Sequence, residues 1–294
     1  MNKGKNKIAL GTAQFGMDYG INNKKGKIPK DEVFKILTES LNFNIDILDT
    51  AYAYGESELV IGDFIKNNQK QFRIISKLPE CTPEKVIGLF EESLKRLGVD
   101  SLYGYMIHSF GQYQKNPEIW EILKDLRSNG KIKKIGFSLY YPSELDHLLE
   151  NRIEFDLIQV PYNIFDQRFG QYFSKLKEKE IEIYVRSVFL QGLVFKNPSQ
   201  LDEYFAAIKE KLRRLHSLCA KIDVPVVSLC LNFAILNKFV DRVVVGVDSF
   251  DNFKEIVSSG DYIKDVETLY KELESFKLND EKIILPFNWK VIQK

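Results

Sequence analysis

Eight short apolar runs rich in β-branched residues recur along this chain, and each is followed by a longer amphipathic stretch. The runs fall at residues 7–10, 45–49, 73–77, 102–108, 132–138, 155–160, 181–187 and 242–247. Between them, apolar residues recur at helical spacing over 30–41, 57–66, 83–97, 117–128, 142–149, 169–179, a doubled segment 201–236, and 251–258. Strand-then-helix alternation of this kind specifies βα units around a parallel sheet, and eight strands is the number that closes one into a barrel. A barrel of about 250 residues uses nearly all of a chain of 294. No linker, low-complexity block or composition shift divides it, so residues 1–294 read as a single (β/α)8 barrel domain. Helix starts carry the expected signals: Thr82-Pro83 and Tyr141-Pro142-Ser143-Glu144 put proline in the first turn, the second with an acid beside it. Beyond residue 261 one more amphipathic helix is expected, then a segment 283–294 without an evident partner.

Several function classes are disfavoured. Forty-two basic residues against 41 acidic ones give a net charge of +1, with no basic run suited to a nucleic-acid backbone. The most apolar stretch, 224–236, contains Pro225, Ser228 and Asn232 and is shorter than the roughly 20 residues that cross a bilayer. The lysine-rich start has too short an apolar run for a signal peptide, and the expectation is a cytoplasmic protein. Cys81, Cys219 and Cys230 are widely spaced and lack metal-site or redox spacing, so no metal is expected.

In a barrel of parallel strands the chemistry sits where strands end and βα loops begin. There the chain places Asp49, Lys77 and His108, with Tyr54 in the loop after the second strand. A tyrosine hydroxyl titrates near pH 10 and is a poor acid at neutrality, but an adjacent ammonium stabilises its phenolate. Lys77 can supply that charge, Asp49 can hold the ammonium, and His108 can donate to an oxygen that becomes negative. The arrangement suits carbonyl reduction and lacks only a hydride.

The stretch Asp49-Thr50-Ala51-Tyr52-Ala53-Tyr54-Gly55-Glu56-Ser57-Glu58 resembles the signature of the aldo-keto reductase superfamily. Ile75-Ser76-Lys77, Met106-Ile107-His108-Ser109, Gln159-Val160-Pro161-Tyr162-Asn163 and Arg186-Ser187-Val188-Phe189-Leu190-Gln191-Gly192 follow in the family's order. Gly11 to Ile21 is similar to a bacterial branch often associated with carbohydrate pathways. The resemblance implies a barrel that binds a nicotinamide dinucleotide without a Rossmann domain, NADP(H) ahead of NAD(H), and reduces an aldehyde or ketone, here a sugar or nucleotide-sugar carbonyl. It implies Asp49, Tyr54, Lys77 and His108 as the catalytic tetrad. Carried over to this chain, the cofactor contacts would be Gly11, Thr12, Asp49, Ser138, Gln159, Arg186, Ser187, Leu190, Gly192, Gly246, Ser249, Asn252 and Glu255. Tyr19, Tyr54 and His108 would meet a small carbonyl substrate. No nucleic-acid or membrane partner is implied.

The chain departs from the family pattern at three places. Leu139 stands where an asparagine usually accompanies Ser138, and Arg186 where an aromatic ring often stacks on the nicotinamide. Its charge would repel the oxidised ring, which biases the site toward reduced cofactor; the competing reading points it at a phosphate or a carboxylate. In the last βα unit Gly246 and Asn252 stand where basic residues often read the adenosine 2′-phosphate. Ser249, Asn252 and the following helix N-terminus could still hold a phosphate, whereas Asp248 would oppose one. Phe15, Tyr52, Phe110, Tyr113 and Trp289 are further aromatics for the pocket rim. Two alternatives stay open: a Schiff-base aldolase using Lys77, and a nicotinamide-binding regulatory subunit with little turnover.

Overall fold

The computed structural model describes residues 7–21, 23, 25–69 and 71–289. Eight parallel strands pair in chain order and close, β8 returning to β1. They are β1 (Ile8–Gly11), β2 (Ile47–Asp49), β3 (Arg73–Leu78), β4 (Leu102–Ile107), β5 (Ile132–Ser138), β6 (Leu157–Pro161), β7 (Glu182–Arg186) and β8 (Arg242–Gly246). Each lies within two residues of its expected run, because a strand buried on both faces is a near-continuous apolar stretch that sequence displays directly.

Side chains alternate across each strand, so every second residue enters the barrel. Ala9, Ile47, Ile75, Met106, Leu157, Tyr184 and Val244 form one buried interior layer. Gly136 completes the ring, since any Cβ there would stand 1.8 Å from the Leu157 carbonyl oxygen. Below this layer Glu182 accepts from Lys134 at 2.8 Å, Tyr103 at 2.8 Å and Tyr184 at 3.2 Å, closing the lower mouth with polar groups. The outward faces pack on helices. Lys30–Asn42, for example, buries Val33, Ile36, Leu37 and Ser40, a stripe at helical spacing. Each fully buried aliphatic side chain contributes roughly 1.5–3 kcal/mol.

The expected helices are present with local differences. Four open with a 3-10 turn: Pro83–Lys85 precedes Val86–Leu97, Gly170–Tyr172 precedes Phe173–Glu178, Glu203–Phe205 precedes Ala206–Ile222, and Ser259–Tyr262 precedes Ile263–Glu274. The doubled segment splits before Pro225 into Ala206–Ile222 and Val226–Leu236, after Asp223 turns left-handed at φ 55°. The second of these is buried on nearly every side, which accounts for its apolar sequence. No single helix among the described residues is long and apolar enough to cross a membrane. Ala13–Gly16 and Phe110–Lys115 were not expected, four and six residues being too short to show a period.

The helix Ile263–Glu274 follows as expected. The tail then finds its partners: Leu278 donates to the Phe165 carbonyl, Glu281 pairs with Arg168 at 2.7 Å, and Trp289 donates its indole N–H to the Ile283 carbonyl. The lysine-rich start and the last five residues of the expected 283–294 segment lie outside the described residues.

Candidate active site

Two residues beyond each member of the interior ring, the pleat brings a second ring to the upper mouth: Gly11, Asp49, Lys77, His108, Ser138, Gln159, Arg186 and Gly246. One residue from every strand therefore meets in one place. An open cleft lies over this ring and runs toward the N-terminus of the helix Phe250–Ser258.

Asp49 and Lys77 are buried at its floor. The Lys77 ammonium donates to Asp49 Oδ1 at 2.7 Å and to the Thr50 carbonyl at 2.9 Å, and stands 3.5 Å from Tyr54 Oη. The other carboxylate oxygen, Oδ2, accepts from Gln159 Nε2 at 2.7 Å. The His108 ring meets the Tyr54 ring edge-on, centroids 5.9 Å apart. The tyrosine loop is seated by backbone: Gly16 O accepts from Glu56 N, and Gly55 takes a left-handed φ of 57° against Gly16. Beneath it, Ser57 Oγ donates to the Thr12 carbonyl and Thr12 Oγ1 donates to the Asp49 carbonyl, tying the first two strand ends together.

The protonation pattern corrects one expectation. The Tyr54 hydroxyl is not brought down by Lys77; burial holds it above its ordinary value and the Asp49 charge adds to that, while Arg186 opposes both. Lys77 and Asp49 form a close ion pair, so the ammonium does not act on the hydroxyl alone. Burial pulls the Lys77 ammonium below its usual range, with Asp49 acting against it. Burial, then the Lys77 and Arg186 charges, lowers His108 to about 3, so its ring is neutral at neutral pH. A protonated phenol beside a neutral imidazole presents two donors to one oxygen.

Of the other expected residues, Gly11, Thr12, Tyr19, Ser138, Gln159, Arg186, Ser187, Gly192, Gly246, Asn252 and Glu255 line the cleft. Leu190 does not; it is fully buried and packs in the core. Ser249 does not either; its hydroxyl caps the helix by accepting from Asn252 N at 3.1 Å. Thr12 is present, but its hydroxyl is spent inside the protein. Among the suggested rim aromatics only Tyr19 faces the cleft, accepting a 3.2 Å hydrogen bond from Gln191. Phe15, Phe110, Tyr113 and Trp289 are buried in the core, and Tyr52 binds Glu92 on the outside. Tyr140, Gln14, Phe189 and Gln191 also line the cleft and were not expected. Residue type alone does not separate a lining loop residue from a solvated one. Lys77 does not line the cleft and is clamped from three sides, leaving no accessible amine for a Schiff base. Among the described residues there is no cluster of metal-ligating groups, and all three cysteines are free.

The sequence model of the Aldo/keto reductase family matches residues 7–275. The chain belongs to the aldo/keto reductase family. Among its relatives, YqkF of Bacillus subtilis (strain 168), an uncharacterized oxidoreductase, is 22% identical over 93% of this chain and 97% of its own. An NADH-specific methylglyoxal reductase of Escherichia coli (strain K12) is 22% identical over 86% and 89%. Among solved structures, an aldo-keto reductase of Bacillus halodurans in its apo form superposes with a TM-score of 0.70 at 20% identity, covering 94% of both chains.

Aldo-keto reductases use nicotinamide cofactors, and the cleft of this member fits such a group. The Ser138 hydroxyl makes no hydrogen bond to any described residue, and Gln159 keeps its carbonyl oxygen open while its amide holds Asp49. Gly11 and Gly246 leave the floor bare: a Cβ on Gly246 would come within 2.9 Å of Gln14 Oε1. At the far end, however, Phe250 N already donates to Glu32 Oε1 at 2.7 Å and Asn252 N to Ser249. The helix N-terminus expected to receive a phosphate is therefore occupied by the protein's own carboxylate.

Proposed function

We propose that this protein is an oxidoreductase that reduces an aldehyde or ketone to an alcohol, with Tyr54 as the proton donor. The observation that carries the reading is the unbroken chain Gln159–Asp49–Lys77–Tyr54 at the base of the cleft, with the His108 ring edge-on to the Tyr54 ring. A reduced nicotinamide dinucleotide, when bound, supplies hydride to the carbonyl carbon.

Tyr54 keeps its proton until the substrate oxygen gains charge, then gives it up. Lys77, at 3.5 Å, stabilises the phenolate left behind, and Asp49 keeps the ammonium aimed. The neutral His108 ring donates to the same substrate oxygen and orients it. Gln159 and Ser138 are the residues that would hold the nicotinamide carboxamide. Asp248, Asn252 and Glu255 would meet the adenosine end.

That end favours NAD(H) over the NADP(H) expected from sequence. Its lining carries Asp248 and Glu255 and, among the described residues, no lysine or arginine; Glu32 fills the helix N-terminus. A carboxylate suits ribose hydroxyls and repels a 2′-phosphate. The test is a fluorescence titration with NADH and NADPH. NADH is expected to bind at least tenfold more tightly; equal or tighter NADPH binding overturns the preference, and failure of both to bind overturns the reductase reading. The sugar or nucleotide-sugar carbonyl expected from sequence is one substrate class within this reading.

A further inference from the structure

Arg186 ends β7 at the reaction end of the cleft. Its guanidinium lies 4.1 Å over the Tyr140 ring, and only two of its five N–H groups are used, one on the Leu139 carbonyl at 3.1 Å and one on Ser187 Oγ at 3.3 Å. It forms no salt bridge with any described residue. The carboxylates in its neighbourhood are engaged elsewhere: Asp49 by Lys77 and Gln159, Glu144 by the backbone N–H groups of Tyr140 and Tyr141 at 2.7 and 3.0 Å. No carboxylate among the described residues pairs with it, and one flat face rests on the protein's own Tyr140.

The remaining charges do not compensate it. Lys77 and Asp49 cancel as a pair, while Tyr54 and His108 are neutral. Arg186 is thus the one cationic side chain among the described residues that line the cleft, half-buried, immobilised and unpaired. A half-buried cation without an anion is costly unless a ligand completes it. Its place at the end of β7, in the same mouth ring as Asp49, Lys77 and His108, puts it beside the reacting groups, whereas the far end of the cleft is acidic.

We propose that Arg186 is a substrate-specificity residue that binds an anionic group, carboxylate or phosphate, on the carbonyl compound reduced at Tyr54. The proposal rests on the reduction reading for its reaction and on Arg186 for its charge. A fork of free N–H donors matches either group in a two-point contact. The Tyr140 ring and the Leu139 carbonyl act by holding the guanidinium in place.

Two matched pairs separate carboxylate from phosphate: succinic semialdehyde against butyraldehyde, and glyceraldehyde 3-phosphate against glyceraldehyde. Wild-type protein is expected to favour the charged member of at least one pair in kcat/KM. R186M should reduce that preference about 10- to 100-fold, with R186K retaining part of it and R186Q serving if R186M does not fold. In parallel, succinate and inorganic phosphate are titrated calorimetrically, and NADH by fluorescence. Anion binding lost in R186M supports the proposal even if no carbonyl is reduced, in which case the reduction reading fails alone. Carbonyl reduction with ratios that R186M and R186Q leave unchanged overturns the proposal and spares the reduction reading. A loss of NADH affinity equal to the loss of anion affinity overturns it too, by assigning Arg186 to the dinucleotide.

Discussion

Lys77 shows how burial and pairing change what one residue does. Its charge, read alone, would acidify Tyr54; paired with Asp49 it does not, and in the proposed reduction it would act once the phenolate forms. Tyr54→Phe should lower kcat/KM by about 10²–10⁴-fold, the usual worth of a positioned general acid, while NADH binding by fluorescence stays within twofold. Lys77→Met should do comparable damage and also strand the buried Asp49 carboxylate, costing about 3–5 kcal/mol in urea unfolding. A Lys77→Met protein as stable as wild type would mean that Asp49 is satisfied by Gln159 alone. At this scale Asp49, Lys77 and His108 were legible in sequence because each ends a strand. Glu32 was not, since the amide it captures lies 218 positions away.

Among elements, the short helix Ala13–Gly16 and the loop bearing Tyr54 are interlocked through backbone. A Cβ on Gly16 would stand 1.9 Å from the Tyr54 carbonyl oxygen and 2.3 Å from Ser57 N, and neither can yield without moving the loop. Gly16→Ala should therefore displace Tyr54 and cut turnover about 100-fold, the scale of a 1 Å misplacement, with little change in NADH affinity. Gly88→Ala is the control: nothing lies within 4 Å of its Cβ, and a helical glycine replaced by alanine should gain about 0.5–1 kcal/mol with activity intact. Equal turnover in both variants would show that the interlock does not position the hydroxyl. The eight strands were visible in the chain because their apolar runs are long and β-branched. The helix Ala13–Gly16 and the left-handed backbone at Ser187, Leu190, Gln191 and Gly192 were invisible, since the two central residues of that run, Leu190 and Gln191, carry no turn preference that sequence could reveal.

For the molecule as a whole, the closed barrel couples the charge state of its mouth to its stability. His108 falls from 6.5 to about 3 on folding, so the unfolded chain binds a proton there that the native state refuses. That contribution to stability is complete above about pH 6.5 and is lost as pH falls toward 3. The urea midpoint should drop through this window, and His108→Gln should flatten the drop. An unchanged slope in His108→Gln would place the acid sensitivity elsewhere. Saturating NADH should raise stability by about 2.7 kcal/mol at 100 times its dissociation constant. Closure itself followed from counting strands, whereas the charge polarity of the cleft emerged only once the loops had been brought together over the barrel.

Asp49 gives one oxygen to Lys77 and the other to Gln159. The residue that would seat the dinucleotide and the residue that attends the proton donor thus share a single carboxylate. Whoever alters Gln159 to recruit a different cofactor will also retune the acid, and the two properties will have to be engineered, or will have evolved, as one.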